Sequence, residues 1–188
     1  NEDHLGNKRY EWKNLGGVVN PKNNTITVPF EEFGYYVVMY MDQSFDDVVG
    51  HPWARDYLDT LYSKGIMKPK EAGRFETNIP ITRGEFTTMI VKAYGLPLNY
   101  EGRATFSDVR QVDPLSEGLY EYKYIETAAR AGIVRGTLGN RFSPGADITR
   151  EQAASIIARA AGLKLDPNTD KVRAKLQKEY TDVDQMDD

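Results

Sequence analysis

The chain has 188 residues, a formal charge of −4 at pH 7, 40% hydrophobic and 28% charged residues, and no cysteine. That length holds one ordinary domain or two to three small ones. The lack of cysteine excludes disulfides, thiolate metal sites and a cysteine nucleophile. No stretch nears the ~18 apolar residues that cross a bilayer, and the acidic balance disfavours nucleic acid, so an anionic partner needs a local cationic pocket. The chain opens at Asn1 without a basic segment leading into an apolar one. No export signal is visible, and the sequence reads as a piece excised from a longer protein, with room for a signal upstream.

Residues 10–41 are strand-like. Thr25-Ile26-Thr27-Val28 alternates after the turn signal Pro21-Lys22-Asn23-Asn24. Phe33 to Met41 is apolar on both faces, the pattern of a strand covered on both sides. Residues 1–42 are accordingly expected to be a β-rich segment, the end of an upstream β domain.

An internal repeat organises the rest of the chain. The opening Phe45-Asp46-Asp47-Val48 returns as Phe106-Ser107-Asp108-Val109 and again as Tyr180-Thr181-Asp182-Val183. After the first two openings, Trp53–Leu96 aligns without gaps on Tyr120–Leu163, sharing Tyr57/Tyr124, Gly65/Gly132, Arg74/Arg141, Phe75/Phe142, Thr82/Thr149 and Arg83/Arg150. The second copy carries an insertion, at about Arg110 to Gly118. Repeats of this period stack supersecondary units that cannot bury their apolar faces alone.

Each copy reads as helix, loop, helix. Trp53, Ala54, Tyr57, Leu58, Leu61 and Tyr62 fall on one helical face, and Gly65-Ile66 ends that helix as a glycine cap with its apolar contact. Phe86, Met89, Ile90, Ala93 and Tyr94 form the second stripe, ending at Gly95-Leu96. Copy two repeats both helices, with stops at Gly132-Ile133 and Gly162-Leu163. Thr82-Arg83-Gly84-Glu85 and Thr149-Arg150-Glu151-Gln152 are capping boxes, and Phe75 and Phe142 are expected to plug the core from polar loops. Asp166 to Lys178 reads as a charged linker or helix, and the third copy breaks off after its opening motif. The fold expected is mainly α: tandem helix-loop-helix repeats over 43–98 and 99–165 in a helical bundle, preceded by the short β segment and followed by a linker and truncated repeat over 166–188.

These motifs, in this order, resemble the S-layer homology (SLH) family: Ser44-Phe45-Asp46-Asp47-Val48, Trp53-Ala54, Gly65-Ile66, Gly73-Arg74-Phe75, Ile81-Thr82-Arg83-Gly84-Glu85-Phe86. Copy two departs from the pattern at Tyr120 for tryptophan, Gln152 for glutamate and Ala153 for Phe86. The resemblance implies an exported, extracellular module at the cell wall or S-layer surface. It implies noncatalytic binding of an anionic secondary cell-wall polysaccharide carrying pyruvate ketals, with no cofactor. Family members usually join three repeats in a pseudo-threefold bundle with ligand grooves between neighbours. By that resemblance Asp47, Trp53 and Arg83, then Asp108 and Arg150, line the grooves.

The residues themselves agree with that chemistry and leave plainer readings open. A threonine cap puts Arg83 and Arg150 at the first helical position, where a cation opposes the helix dipole. A guanidinium beside free helix-tip N–H groups would hold a carboxylate or phosphate, and an indole would stack on a sugar ring. Equally, Arg83 could pair with Asp47, Trp53 could belong to the core, and Asp47 and Asp108 could cap backbone N–H groups. Arg74 and Arg141 read as solvated loop arginines, and Glu85 and Gln152 as capping residues alone.

Rival chemistries find less. Asp166-Pro-Asn168-Thr-Asp170 begins like an EF-hand loop, but Lys171 and Gln177 stand where glycine and glutamate are needed. The acidic tail Asp182, Asp184, Asp187 and Asp188 reads as solvated rather than metal-binding. His4 and His51 are the only histidines, too separated in sequence for a zinc site or triad. No nucleophile elbow or phosphate loop is present, and the adjacent Asp46 and Asp47 do not make a glycosidase pair. No metal site, catalytic residue, nucleic-acid partner or membrane insertion is expected. Two alternatives stay open beside the wall-binding module: a self-assembling surface-layer module that pairs through the incomplete third repeat, and the anchor of an exported polysaccharide-degrading enzyme.

Overall fold

A computed structural model describes residues 15–28, 33–40, 45–71, 73–111, 120–137, 139–164 and 169–185. His4, Met41, Ser44, most of the insertion (112–118), Asp166, Asn168, Asp187 and Asp188 lie outside the described residues. The fold is mainly helical, with five α-helices and one two-stranded hairpin among the described residues. Two compact units divide at Thr77/Asn78, inside the first sequence repeat.

In the first unit, β1 (Val18–Asn20) pairs antiparallel with β2 (Thr25–Thr27) across the expected turn, whose Asn24 takes the left-handed conformation. The Lys64 ammonium donates to the Gly17 carbonyl at 3.1 Å, tying the hairpin to the end of the following helix. The strand expected over Phe33–Met41 does not form in the described part: residues 33–40 lie outside any strand and are exposed. A strand buried on both faces needs neighbouring strands on both, and the two described strands, β1 and β2, pair with each other.

The first helix also departs from its stripe. Pro52–Ala54 is a 3-10 turn and α1 begins only at Arg55, running to Ser63. Proline at the start of the turn has no N–H to lose there. The shift leaves Trp53 75% exposed and Tyr57 exposed, while Leu58 and Tyr62 pack with Met67 on buried Phe45, Val48 and Phe75. Phe45 meets Phe75 edge-on with ring centroids 4.3 Å apart, the geometry favoured by the ring quadrupoles. Gly65 closes α1 at φ 65°, its N–H reaching Tyr62 O while Ile66 N–H reaches Leu61 O. Those two bonds are the Schellman pattern, and the positive φ is why the position is glycine.

The second unit holds α2 (Arg83–Ala93), α3 (Tyr122–Arg130), α4 (Arg150–Ala160) and α5 (Asp170–Glu179). Thr82 and Thr149 cap α2 and α4 as complete capping boxes with Glu85 and Gln152. The second helix of repeat one thus packs in one core with both helices of repeat two, through Val91, Ile125, Ala128 and Ile156. Phe142 plugs this core with no exposed surface and stacks on Phe106 at 5.2 Å. The stretches leading into α2 and α4 also pair, through a Thr82–Asp147 bridge and the Ile148 N–H to Ile81 O at 3.0 Å. The charged segment is helix α5, capped by Thr169, and Val183 of the third opening motif is buried as Val48 and Val109 are.

One feature of α2 works against stability. The hydroxyls of Thr87 and Thr88 are buried without a hydrogen-bond partner among the described residues, and a buried polar group left unpaired costs about 1–3 kcal/mol. Thr87→Val keeps the shape and removes the hydroxyl. We expect it to raise the unfolding free energy by about 1 kcal/mol in urea titration; a loss of stability would show that the hydroxyl has a partner.

Candidate ligand-binding site and the joint between repeats

The two opening aspartates do the same work in each repeat, and it is long-range. Asp47 accepts from the backbone N–H groups of Phe75 (3.1 Å), Glu76 and Thr77 (3.3 Å). Asp108 accepts from Phe142 (2.7 Å) and Ser143 (2.8 Å). Each carboxylate therefore clamps the loop between the two helices of its repeat, rather than the turn that follows it. The loops share a backbone: Gly73 and Asn140, then Glu76 and Ser143, all take left-handed conformations at matched positions. Burial raises both carboxyl pKa values, but the backbone donors outweigh it and leave them below the ordinary aspartate value. Arg141 adds a solvated cation 3.7 Å from Asp108, and Arg74 is exposed.

Arg83 is 7% exposed, and its partners are not carboxylates. Its Nε donates to Phe142 O at 3.1 Å, one terminal nitrogen to Gln152 Oε1 at 2.9 Å, and the other to Arg135 O at 3.2 Å. The guanidinium lies over the Phe142 ring, 4.9 Å from its centroid. Burial lowers its pKa from the usual arginine value, yet a guanidinium stays charged in proteins. The pairing with Asp47 is thus replaced by a seat on the loop of the next repeat. The expected free N–H groups at this helix tip are also engaged: Arg83 N–H donates to Ala146 O and Gly84 N–H to Pro144 O, both at 2.9 Å. Gly84 is required here, because a Cβ would lie 2.7 Å from the Tyr120 ring and 3.0 Å from Pro144 O.

Arg150, at the same place on α4, is exposed, and neither its guanidinium nor the N–H groups of Arg150 and Glu151 have a partner among the described residues. Trp53 is exposed in the first unit, whereas its counterpart Tyr120 is half-buried against Gly84. Of the five site residues read from the sequence, Arg83, Asp47 and Asp108 are engaged in loop and joint contacts, and Trp53 and Arg150 face solvent. Among the described residues no group of histidines and carboxylates is placed to hold a metal ion.

Glu126 was not singled out in the sequence. It is almost fully buried and accepts from Thr105 N–H (3.0 Å), the Thr105 hydroxyl (2.6 Å) and Arg130 Nε (2.8 Å). Arg130 continues to Asn99 Oδ1 and Arg103 O, so the pair fastens the link between repeats to α3. In sequence it is an i, i+4 pair, indistinguishable from a solvated one. Burial raises the Glu126 pKa, and the Thr105 and Arg130 donors outweigh that and leave it low.

The chain belongs to the S-layer homology domain family, which matches residues 44–87 and 105–154. It is 33% identical over 151 residues, 80% of its length, to an amylopullulanase of Thermoanaerobacterium thermosulfurigenes, of which it spans 8%. It is 32% identical over 124 residues, 66% of its length, to the S-layer protein sap of Bacillus anthracis, of which it spans 14%. It is 34% identical over 110 residues, 58% of its length, to endo-1,4-beta-xylanase A of Thermoanaerobacterium saccharolyticum, of which it spans 9%. The chain thus carries SLH domains like those of surface-layer proteins and of much larger polysaccharide-degrading enzymes. No described helix is long and apolar enough to cross a membrane.

The engaged groups make two predictions. Arg83→Ala removes three charge-assisted bonds and should destabilise by about 3 kcal/mol or more. Arg83→Lys should recover little of it, because one ammonium cannot reach three diverging acceptors; full recovery in urea titration would contradict the seat. Asp47, Asp108 and Glu126 have folded pKa values below their unfolded values of about 4. Their contribution is fully present above that pH and is lost as pH falls through the folded values. Stability measured against pH should hold flat down to about pH 5 and drop below about pH 4, and Asp108→Asn should make the drop shallower. An unchanged drop in that variant would mean that the clamp contributes nothing.

Proposed function

We propose that the chain is a noncatalytic anchoring module that holds a protein on the outer face of the bacterial cell wall by binding an anionic secondary cell-wall polysaccharide, one bearing pyruvate ketals. Family membership supports wall attachment. The observation that carries the ligand chemistry is Arg150, an exposed guanidinium at a helix tip with two adjacent N–H groups unpartnered among the described residues, on a chain of charge −4. A ketal carboxylate fits that arrangement because a guanidinium and helix-tip donors together bind it by charge-assisted hydrogen bonds. Trp53 offers a solvent-facing indole on which a sugar ring can stack. In this reading Asp47 fixes its loop in the first unit, while Asp108 and Arg83 fix the loop and helix tip of the second, and none of the three is a direct ligand contact.

A second reading concerns the cargo. Relatives include an amylopullulanase and an endo-1,4-beta-xylanase A, and the chain covers only a small share of each. In that reading the chain is the anchor of an exported polysaccharide-degrading enzyme, and the wall-binding chemistry is unchanged.

Sedimentation with purified cell walls tests the proposal. The chain should pellet with native walls and stay in solution with walls chemically stripped of the polysaccharide. Trp53→Ala and Arg150→Ala should each weaken retention by about tenfold, while Thr87→Val leaves it unchanged. Equal retention on stripped walls would overturn the polysaccharide as ligand.

A further inference from the structure

The charged helix α5 has one side turned to the protein and one to water. Val172, Arg173 and Leu176 are half-buried. The Arg173 guanidinium reaches Asp184 Oδ1 at 3.4 Å, and the Gln177 amide reaches the same oxygen at 3.5 Å. Asp184 follows Val183, the buried valine of the third opening motif, so this side of α5 is tied to that motif. Lys171, Lys175 and Lys178 lie at i, i+4 and i+7, one row along the helix. At about 100° per residue the row falls on the side away from Val172 and Leu176, and all three lysines are exposed. Asp170 and Glu179 flank the row, but none of the three lysines has an ion pair or hydrogen bond among the described residues.

We infer that this row is a second contact surface for the anionic wall polysaccharide, one that follows charge along the polymer rather than the shape of one sugar. It rests on the polysaccharide reading given above for Arg150 and adds a separate surface to it. From Lys171 to Lys178 the helix rises about 10 Å, so the three ammonium groups follow a line rather than converging on a point. Convergent guanidinium and N–H donors suit a single carboxylate. A line of ammonium groups suits an extended chain with recurring anionic groups, because each ammonium is a point charge on a flexible stem.

Charge complementarity favours this occupant. Residues 164–178 hold five cations against two carboxylates, on a chain whose net charge is −4. A polyanion is therefore drawn to this segment of an otherwise acidic body. A lipid surface fits less well, since an interfacial helix needs a bulky apolar face free to enter the bilayer, and Val172 and Leu176 are on the half-buried side. Two modest contacts on one polymer strengthen each other, because binding at one raises the local concentration of polymer at the other.

Sedimentation with purified walls across a salt series reads the row separately from Arg150. Lys171→Gln, Lys175→Gln and Lys178→Gln together, with helical circular dichroism unchanged, should weaken retention on native walls about tenfold at about 50 mM salt. The loss should shrink toward nothing at about 500 mM salt. Lys171→Arg, Lys175→Arg and Lys178→Arg together should preserve retention. Lys22→Gln, Arg55→Gln and Arg103→Gln change the net charge equally on other surfaces and should cost much less. Equal losses in the two glutamine sets, or none in the first, would overturn the row as a polymer contact and leave the Arg150 reading standing. Retention on phosphatidylglycerol vesicles that the lysine-to-glutamine set abolishes would assign the row to lipid and likewise overturn it. A chain that pellets equally with native and stripped walls would overturn both readings.

Discussion

A buried guanidinium bonded to no carboxylate among the described residues is the constraint on which the second unit depends. Moving a cation out of water is costly unless each donor finds an acceptor. Arg83 meets that demand with two backbone carbonyls, the Gln152 amide and the face of Phe142. One of those acceptors, the Phe142 carbonyl, belongs to the loop that Asp108 holds through the N–H groups of Phe142 and Ser143. The helix that carries Arg83 belongs to the first sequence repeat, while its seat belongs to the second. The folding unit is therefore out of phase with the sequence repeat, and the boundary at Thr77/Asn78 reflects that.

Much of the helical layout was legible because it rests on local rules. The capping boxes at Thr82 and Thr149, the glycine stops at Gly65 and Gly132 and the phenylalanine plugs all reflect contacts a few residues apart or a plain apolar preference. The roles of the polar residues were less legible. Nothing in the spacing of Asp47 and Phe75 says that a carboxylate will gather the N–H groups of a loop 28 residues on. Arg83 and Arg150 are alike in sequence, yet one is buried and the other exposed, because only one faces a loop among the described residues. Trp53 opened an apolar stripe but precedes the α-helix proper, in a 3-10 turn that points it away from the core. The stretch at 33–40 was apolar enough for a covered strand, and pattern alone does not supply the strands that would cover it.

On the proposed function, the same geometry lets an acidic protein engage an acidic polymer. Two carboxylates, Asp47 and Asp108, are turned onto backbone donors. That leaves Arg150 as a local cation whose field is not cancelled by a bonded carboxylate among the described residues. Specificity for a carboxylate ketal would then come from the directional donors of one helix tip, and affinity from repeating modest contacts along the polymer.

Exchange of the arginine Nε protons with water, measured by NMR on the folded chain, tests the central claim most directly. If Arg83 is locked on its loop seat, its Nε–H signal exchanges far more slowly than that of solvent-facing Arg150. Equal, rapid exchange for both side chains would mean that the guanidinium is not held there and that the joint does not exist.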